Sequence, residues 1–279
     1  VYAAFYGDEA VGLACGWLPE DTPDVTDLIS MWVAPKARGR RIVGMLIDAI
    51  AGWARERETT MRLEVLASNR IARRSYARQG FTVDDRPART DGAVALRFTP
   101  IRPAGSADFA LLPAIEAAAD TLFGATGIGP LPPPSTSGEL AAARVLLVVG
   151  DPPVGFARIE ELDGAAHLEQ LSVHPDRARR GIGTALLAGA LDWATESGYP
   201  TATLITFADV ACNAPFYARN GFVGVTDGDL SAGLRRLRQR EVALGLDALG
   251  TRVVMRKPLS HSFTRDFVVS AIWEDRESR

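Results

Sequence analysis

The sequence predicts an α/β fold with mixed sheets, built twice in tandem. Three observations predict it. The chain repeats itself at an offset of about 140 residues. Strand-like runs alternate with amphipathic helices in each copy. The length, 279 residues, exceeds what one small core uses and favours two domains of roughly 100–200 residues each.

The repeat rests on rare residues that coincide in order. Pro35 matches Pro175, Ile42 matches Ile182, Leu46 matches Leu186 and Trp53 matches Trp193. Farther on, Tyr76, Gly80 and Phe81 match Tyr217, Gly221 and Phe222. Copy one opens on a strand at residues 1–6, with no helix before it. A β-rich run follows at 28–33, then a proline turn. Val43, Leu46, Ile47, Ile50 and Ala54 then recur at helical spacing. A strand at 61–66 leads to a short helix holding Tyr76, which Gly80 suits as a C-terminus. Phe81 begins another strand.

A proline-punctuated boundary falls near residue 100, so the predicted domains are 1–100 and 101–259. Copy two adds a helix at 109–123, which copy one lacks. A stiff, polar, proline-rich loop at 129–138 reads as a connector. Strands at 145–149 and 167–173 precede the second turn. Gly183, Leu186, Leu187, Ala190, Leu191 and Ala194 mark its helix. A strand at 201–206 and a helix holding Tyr217 complete the repeat. Residues 260–279 form a tail with an apolar stretch from Phe267 to Trp273, and the sequence assigns it no role.

Composition narrows the function. Charged residues are 23% and the net charge is -3, so no bulk attraction to nucleic acid or an anionic membrane is implied. The two cysteines, Cys15 and Cys212, make no disulfide framework, and a reducing cytoplasm is the expected compartment. The three histidines show no metal-ligand spacing, so no metal is expected. No apolar run reaches the roughly 20 residues of a membrane span, and no signal-peptide pattern opens the sequence.

The turn before the second long helix carries the chemistry. It runs through Arg179, Arg180, Gly181, Ile182, Gly183 and Thr184. Glycines let backbone approach a ligand closely. The helix that follows offers unpaired N–H groups and the positive end of its dipole. Two arginines add charge. Together they read as a diphosphate cradle on a mildly acidic chain, although an Arg/Gly-rich turn can also simply start a helix.

The wider constellation is Val173-x-Pro175, Arg180-Gly-Ile-Gly183, Leu186-Leu187, and then Asn213 to Phe222 with Tyr217 between. It resembles the Gcn5-related N-acetyltransferase (GNAT) superfamily, and the resemblance covers both halves of the chain. It implies two tandem acyl-CoA N-acyltransferase domains, with acetyl-CoA as co-substrate. It also implies that the strand presenting Leu171 and Val173 splays from its neighbour and pairs with the pantetheine arm. Backbone N–H groups of Arg179 through Thr184 would bind the pyrophosphate, and Asn213 would contact the cofactor. Tyr217 would sit near the thioester sulfur as the acid. Where the family usually has Gln or Arg, this chain has Ala178. Strand alternation puts Leu171, Glu169 and His167 on one face, which makes Glu169 the first candidate base and His167 the second.

Copy one departs from the pattern. Arg41 stands at the place of Gly181 and Val43 at that of Gly183, with valine the harsher change if a positive φ is needed. Gly39 and Gly44 are nearby compensations. Tyr76, Asn69 and Asp27 occupy the acid, cofactor and base positions. Copy one is therefore expected to bind acyl-CoA weakly or not at all. The predicted activity is transfer of acetyl from acetyl-CoA to a primary amine of a small molecule or peptide, by direct attack, in the second domain. A non-catalytic acyl-CoA-binding or regulatory module on the same fold stays open. A nucleic-acid binder, suggested by arginines at 38–41 and 235–240, is disfavoured by net charge; those runs read as solvated faces. Family members often dimerise, which leaves a homodimer as one assembly.

Overall fold

The computed structural model describes residues 1–124, 127–260 and 267–272. His261 and Trp273, named above, lie outside them. Contacts divide the chain into two units, Pro100–His261 and Val1–Thr99, the latter joined by the described residues of Ser262–Arg279.

The first unit contains β1 (Tyr2–Tyr6), β2 (Glu9–Trp17), β3 (Val25–Val33), α1 (Ile42–Glu56), β4 (Thr60–Leu66), α2 (Arg70–Arg78), β5 (Phe81–Val83) and β6 (Ala93–Phe98). On α1 the buried positions are Ile42, Leu46, Ile47, Ile50, Ala51 and Ala54, one stripe at helical spacing. They pack on Ala4, Val11, Leu28, Met61 and Leu63 of the sheet. Each large aliphatic side chain removed from water this way contributes roughly 1.5–3 kcal/mol.

The second unit contains β7 (Ile101–Pro103), α3 (Leu112–Gly124), α4 (Ser137–Ala141), β8 (Val145–Val149), β9 (Gly155–Leu162), β10 (Ala165–Val173), α5 (Ile182–Glu196), β11 (Thr201–Phe207), α6 (Ala214–Arg219), β12 (Val223–Gly224), α7 (Ala232–Ala243), α8 (Leu246–Leu249) and β13 (Arg252–Pro258). Its seven-stranded sheet has the order β12-β13-β11-β10-β9-β8-β7. One face carries α5, with Leu186 and Leu187 against Ala157, Ile159, Leu168 and Leu204. A second cluster joins Leu112 and Ile115 of α3 and Leu140 of α4 to Leu146, Val148 and Phe156. The helix α4 is fixed by a capping box, in which Thr136 and Glu139 satisfy each other's backbone N–H. The loop before it sets Ser135 N–H on Glu116 of α3.

The tail has a place. Residues 267–271 form a strand, β14, antiparallel to β1 with Tyr2 opposite Ala271. The first sheet is therefore also seven-stranded, β14-β1-β2-β3-β4-β6-β5. In the second unit the strand beside β8 is β7, which precedes it in sequence. In the first unit the strand beside β1 comes from beyond the second unit. Phe267 is buried there and its ring lies 5.2 Å from that of Tyr6.

Candidate functional site

The two central strands of each sheet part company. In the second unit β10 pairs in parallel with β11 only over Ala166–Leu168 against Ala202–Leu204. Both strands run on, β10 to Val173 and β11 to Phe207, while β11 stays paired to β13 along its length. The β10 backbone beyond Leu168, including Leu171 and Val173, thus faces a gap. In a sheet such backbone groups need partners, which makes the gap a slot for an extended amide-bearing ligand. The first unit splays in the same way: β3 pairs with β4 only from Val25 to Asp27.

At the foot of each splay lies the turn. Arg179 has φ +62 and Gly181, the N-cap of α5, has φ +94. Backbone that visits the left-handed region at a helix start turns successive N–H groups inward, and so forms an anion-binding nest at the positive end of the helix. The first unit keeps this geometry with the residues exchanged. Gly39 has φ +78 and Arg41, the N-cap of α1, has φ +62. One glycine serves each turn, at the first left-handed position in one and at the second in the other. This corrects the expectation for Val43. Gly183 lies inside α5 and is not at positive φ. A β-carbon there would meet Leu171, Phe216 and Val173 at 4.0 Å, an ordinary contact. The residue under backbone strain is Arg41, since a non-glycine in this region costs roughly 1–2 kcal/mol.

The alternation expected along β10 also fails, and the cause is local. The register with β9 shifts between Leu168 and Gln170, a bulge that leaves Glu169 as the extra residue. Leu168 pairs with Ile159 and Leu171 with Ala157, so both belong to the α5 face. His167 pairs with Glu160 and Ser172 with Phe156, on the opposite face. Leu171 and His167 therefore lie on opposite faces of the sheet. Glu169 is the first residue past the last parallel pair, at the mouth of the gap, with a side chain 42% exposed. Desolvation holds its carboxyl above the ordinary range, with neighbouring Arg158 opposing that rise.

His167 is buried. Its Nδ1 lies 2.9 Å from Thr203 Oγ1 and its Nε2 lies 3.5 Å from Glu169 Oε2. Burial pushes the imidazole down to about 4, so the ring is neutral near pH 7. Tyr217 is buried on α6, edge-on to Phe222 with centroids 5.8 Å apart, and burial raises its phenol above the ordinary value. The phenol stays protonated and so can donate. Asn213 is the N-cap residue of α6, yet its side chain makes no cap hydrogen bond; it accepts from Cys212 Sγ at 3.5 Å. Its counterpart Asn69 accepts from Ala72 N–H at 3.0 Å and caps α2.

The equivalent corner of the first unit is filled by its own residues. Asp27, partner of Arg62 across the parallel pair, is buried beneath the guanidinium of Arg89, to which it is ion-paired. Arg89 also lies 3.5 Å from Glu64, whose carboxylate takes the backbone N–H groups of Arg89 and Thr90. Arg62 lies 3.0 Å from Asp84. At the place of Glu169 stands Ile29. Sequence reading had not singled out Thr203 or Arg89. A signal for Thr203 existed, because the aligned copies differ there, Arg62 against Thr203, beside the Asp27/His167 difference. Arg89 lies in a loop outside the repeat, and only the fold brings it to Asp27.

Among the described residues, no group of three or more His, Cys, Asp and Glu side chains could hold a metal ion, and no helix is long and apolar enough to cross a membrane. The arginines at 235–240 lie on α7, where Arg235, Arg236 and Arg240 are exposed and Arg238 pairs with Glu241 and Asp247.

A mycothiol acetyltransferase of Clavibacter sepedonicus is 40% identical over 68 residues, which are 24% of this chain and 22% of that protein. Among solved structures, a GNAT-family acetyltransferase of Staphylococcus aureus has a TM-score of 0.46 at 17% identity, covering 58% of this chain and 99% of that one. The ribosomal-protein-S18-alanine N-acetyltransferase of Escherichia coli has a TM-score of 0.42 at 19% identity, covering 58% and 94%. The profile of the acetyltransferase (GNAT) family matches residues 1–81 and again residues 132–222. Since it finds the family twice, once within each splayed sheet, the chain belongs to the acetyltransferase (GNAT) family of acyltransferases.

Proposed function

We propose that the second unit transfers an acetyl group from acetyl-CoA to a primary amine of a small molecule or peptide, by direct attack with both substrates bound. One observation carries the choice of unit. Past its last parallel pair the second sheet presents Glu169, partly exposed, whereas the first presents Ile29 and keeps Asp27 under Arg89.

The residues present fit acyl-CoA. The N–H groups of Arg179, Arg180, Gly181, Ile182, Gly183 and Thr184 surround the left-handed turn that would hold the pyrophosphate. Leu171 and Val173 offer the free edge of β10 to the pantetheine amides. Asn213, with no cap bond to its own helix, is available to the same ligand. Bound there, acetyl-CoA supplies an activated acyl group as a thioester.

This chain's own residues move the protons. An amine must be neutral to attack, and Glu169 at the mouth of the gap is the group to take its proton, directly or through water. His167 is the weaker base: at 2% exposure it lacks access, and its conjugate acid is too strong at neutral pH. Tyr217 donates to the departing thiolate, whose ordinary pKa is about 8.5. The first unit, with a strained Arg41 and a filled acceptor corner, serves as a partner domain that binds acyl-CoA weakly or not at all.

A thiol-release assay with acetyl-CoA and a panel of amino acids, polyamines, aminoglycosides and peptides tests this. Turnover of one amine class is expected, with Tyr217→Phe lowering kcat by roughly 10²-fold. Full rate in that variant removes Tyr217 as the acid. Absence of turnover with saturable CoA binding would favour the non-catalytic module.

A further inference from the structure

We propose that Thr203 is a positioning residue: its hydroxyl donates to His167 Nδ1, fixing the ring with its proton on Nε2 and aimed at Glu169. The inference rests on the function proposed above. Thr203 and His167 are direct partners across the last stretch of parallel pairing, and both are buried. Their side chains meet at 2.9 Å. A neutral imidazole has one N–H and one lone pair. If Nδ1 carried the proton, the Nε2 lone pair would face the Glu169 carboxylate at 3.5 Å, an unfavourable arrangement for two acceptors. With Nδ1 accepting from Thr203, the Nε2–H instead supports the carboxylate. The ring is neutral near pH 7, which leaves the tautomer as the only choice to be made.

The three residues form a line from the sheet interior to the mouth of the gap. Glu169 takes the amine proton; His167 keeps its own proton and orients the acceptor oxygen. Without Thr203 the imidazole can invert its tautomer or rotate. The bulge matters here, because it is the extra residue that brings Glu169 back over His167. The first unit lacks all three side chains, having Asp27, Arg62 and Ile29 at these places.

Other charged groups also act on Glu169. Arg158 and Glu160 face it from β9, and Glu241 and Arg240 from α7. The helix α3, packed on β10 and β9, brings Glu116, which accepts from Ser135, and Asp120. None of them is altered by a change at Thr203, so a shift seen on substitution there reports the His167 contact.

Two measurements test the proposal on the full chain. In the first, ring nitrogen shifts of 15N-histidine-labelled protein are assigned through His167→Gln. The expected spectrum shows His167 protonated on Nε2 alone; a ring protonated on Nδ1, or on both nitrogens, at pH 7 overturns the proposal. In the second, kinetics with acetyl-CoA and the amine selected above compare Thr203→Val with Thr203→Ser. Valine should lower kcat about tenfold and move the acid limb of the pH profile upward, with the KM for acetyl-CoA unchanged. Serine should restore both. Equal loss in the two variants, or a change confined to the KM for acetyl-CoA, overturns it. If no amine is acetylated, the proposed function falls, and the tautomer still decides the role of Thr203.

Discussion

Gly155 is where the fit between sheet and cofactor slot can be measured. It lies on β9 directly opposite Val173. A β-carbon at that position would stand 2.9 Å from the carbonyl oxygen of Ser172, 3.2 Å from Leu186 Cδ1 and 3.3 Å from Val173 Cγ2. The first obstacle is backbone and cannot rotate away. Gly155→Ala must therefore push the end of β10 outward by a few tenths of an ångström, at a cost of about 2 kcal/mol. For a unit of this size that lowers Tm by roughly 4–8 °C. The displaced strand is the one that carries Leu171 and Val173, so CoA affinity should fall as well, by about fivefold or roughly 1 kcal/mol. Calorimetry reads both quantities, Tm by scanning and Kd by titration with CoA. Gly224→Ala is the control, since no atom lies within 4 Å of its added carbon; it should change neither. A Gly155→Ala protein with the Tm and CoA affinity of the parent would refute the placement of the slot along β10.

Three further outcomes are expected. Stability should fall as pH drops from about 6.5 to about 4, because His167 resists protonation when folded and accepts it freely when unfolded; the difference is worth about 3 kcal/mol. Equilibrium unfolding of His167→Gln across that range should show a flatter dependence, and an unchanged slope would contradict it. Arg89→Gln removes the partner of a buried carboxylate and should destabilise the first unit by about 2 kcal/mol, a figure reduced because Arg89 is 38% exposed. Adding Asp27→Asn should recover most of that loss in thermal unfolding. Phe267→Ala should cost about 3 kcal/mol in the first unit while leaving amide exchange in β10 and β11 unchanged; slowed or hastened exchange there would mean that β14 supports more than its own sheet.

Much of the fold was legible because its signals are local or repeated. The stripe from Ile42 to Ala54, the pair Tyr76–Phe81 and their counterparts 140 or 141 residues on gave helices, strands and turns at nearly their observed bounds. The glycine at 181 pointed to the turn, but not to the fact that Arg41 and Arg179 adopt left-handed backbone as well. Spacing cannot show which residue of an Arg/Gly run takes which conformation. The bulge at Glu169 escaped for a related reason: alternation is a property of regular strands, and one inserted residue inverts it downstream without any compositional mark. The partner of β14 and the Arg89–Asp27 contact escaped because both are made between segments far apart in sequence.

The position of β14 has a consequence for how the molecule is made. The strand that completes the first sheet is synthesised only after the whole second unit. Until then β1 carries an open edge, a row of backbone donors and acceptors with nothing beside it, and such edges recruit foreign strands. The second unit can close on itself from a continuous stretch of nascent chain. The first unit, though translated earlier, matures later, and its docking must overcome the closure of a very long loop. Ribosome-bound chains stopped before residue 267 should therefore hold a finished second unit beside a first one still in need of protection.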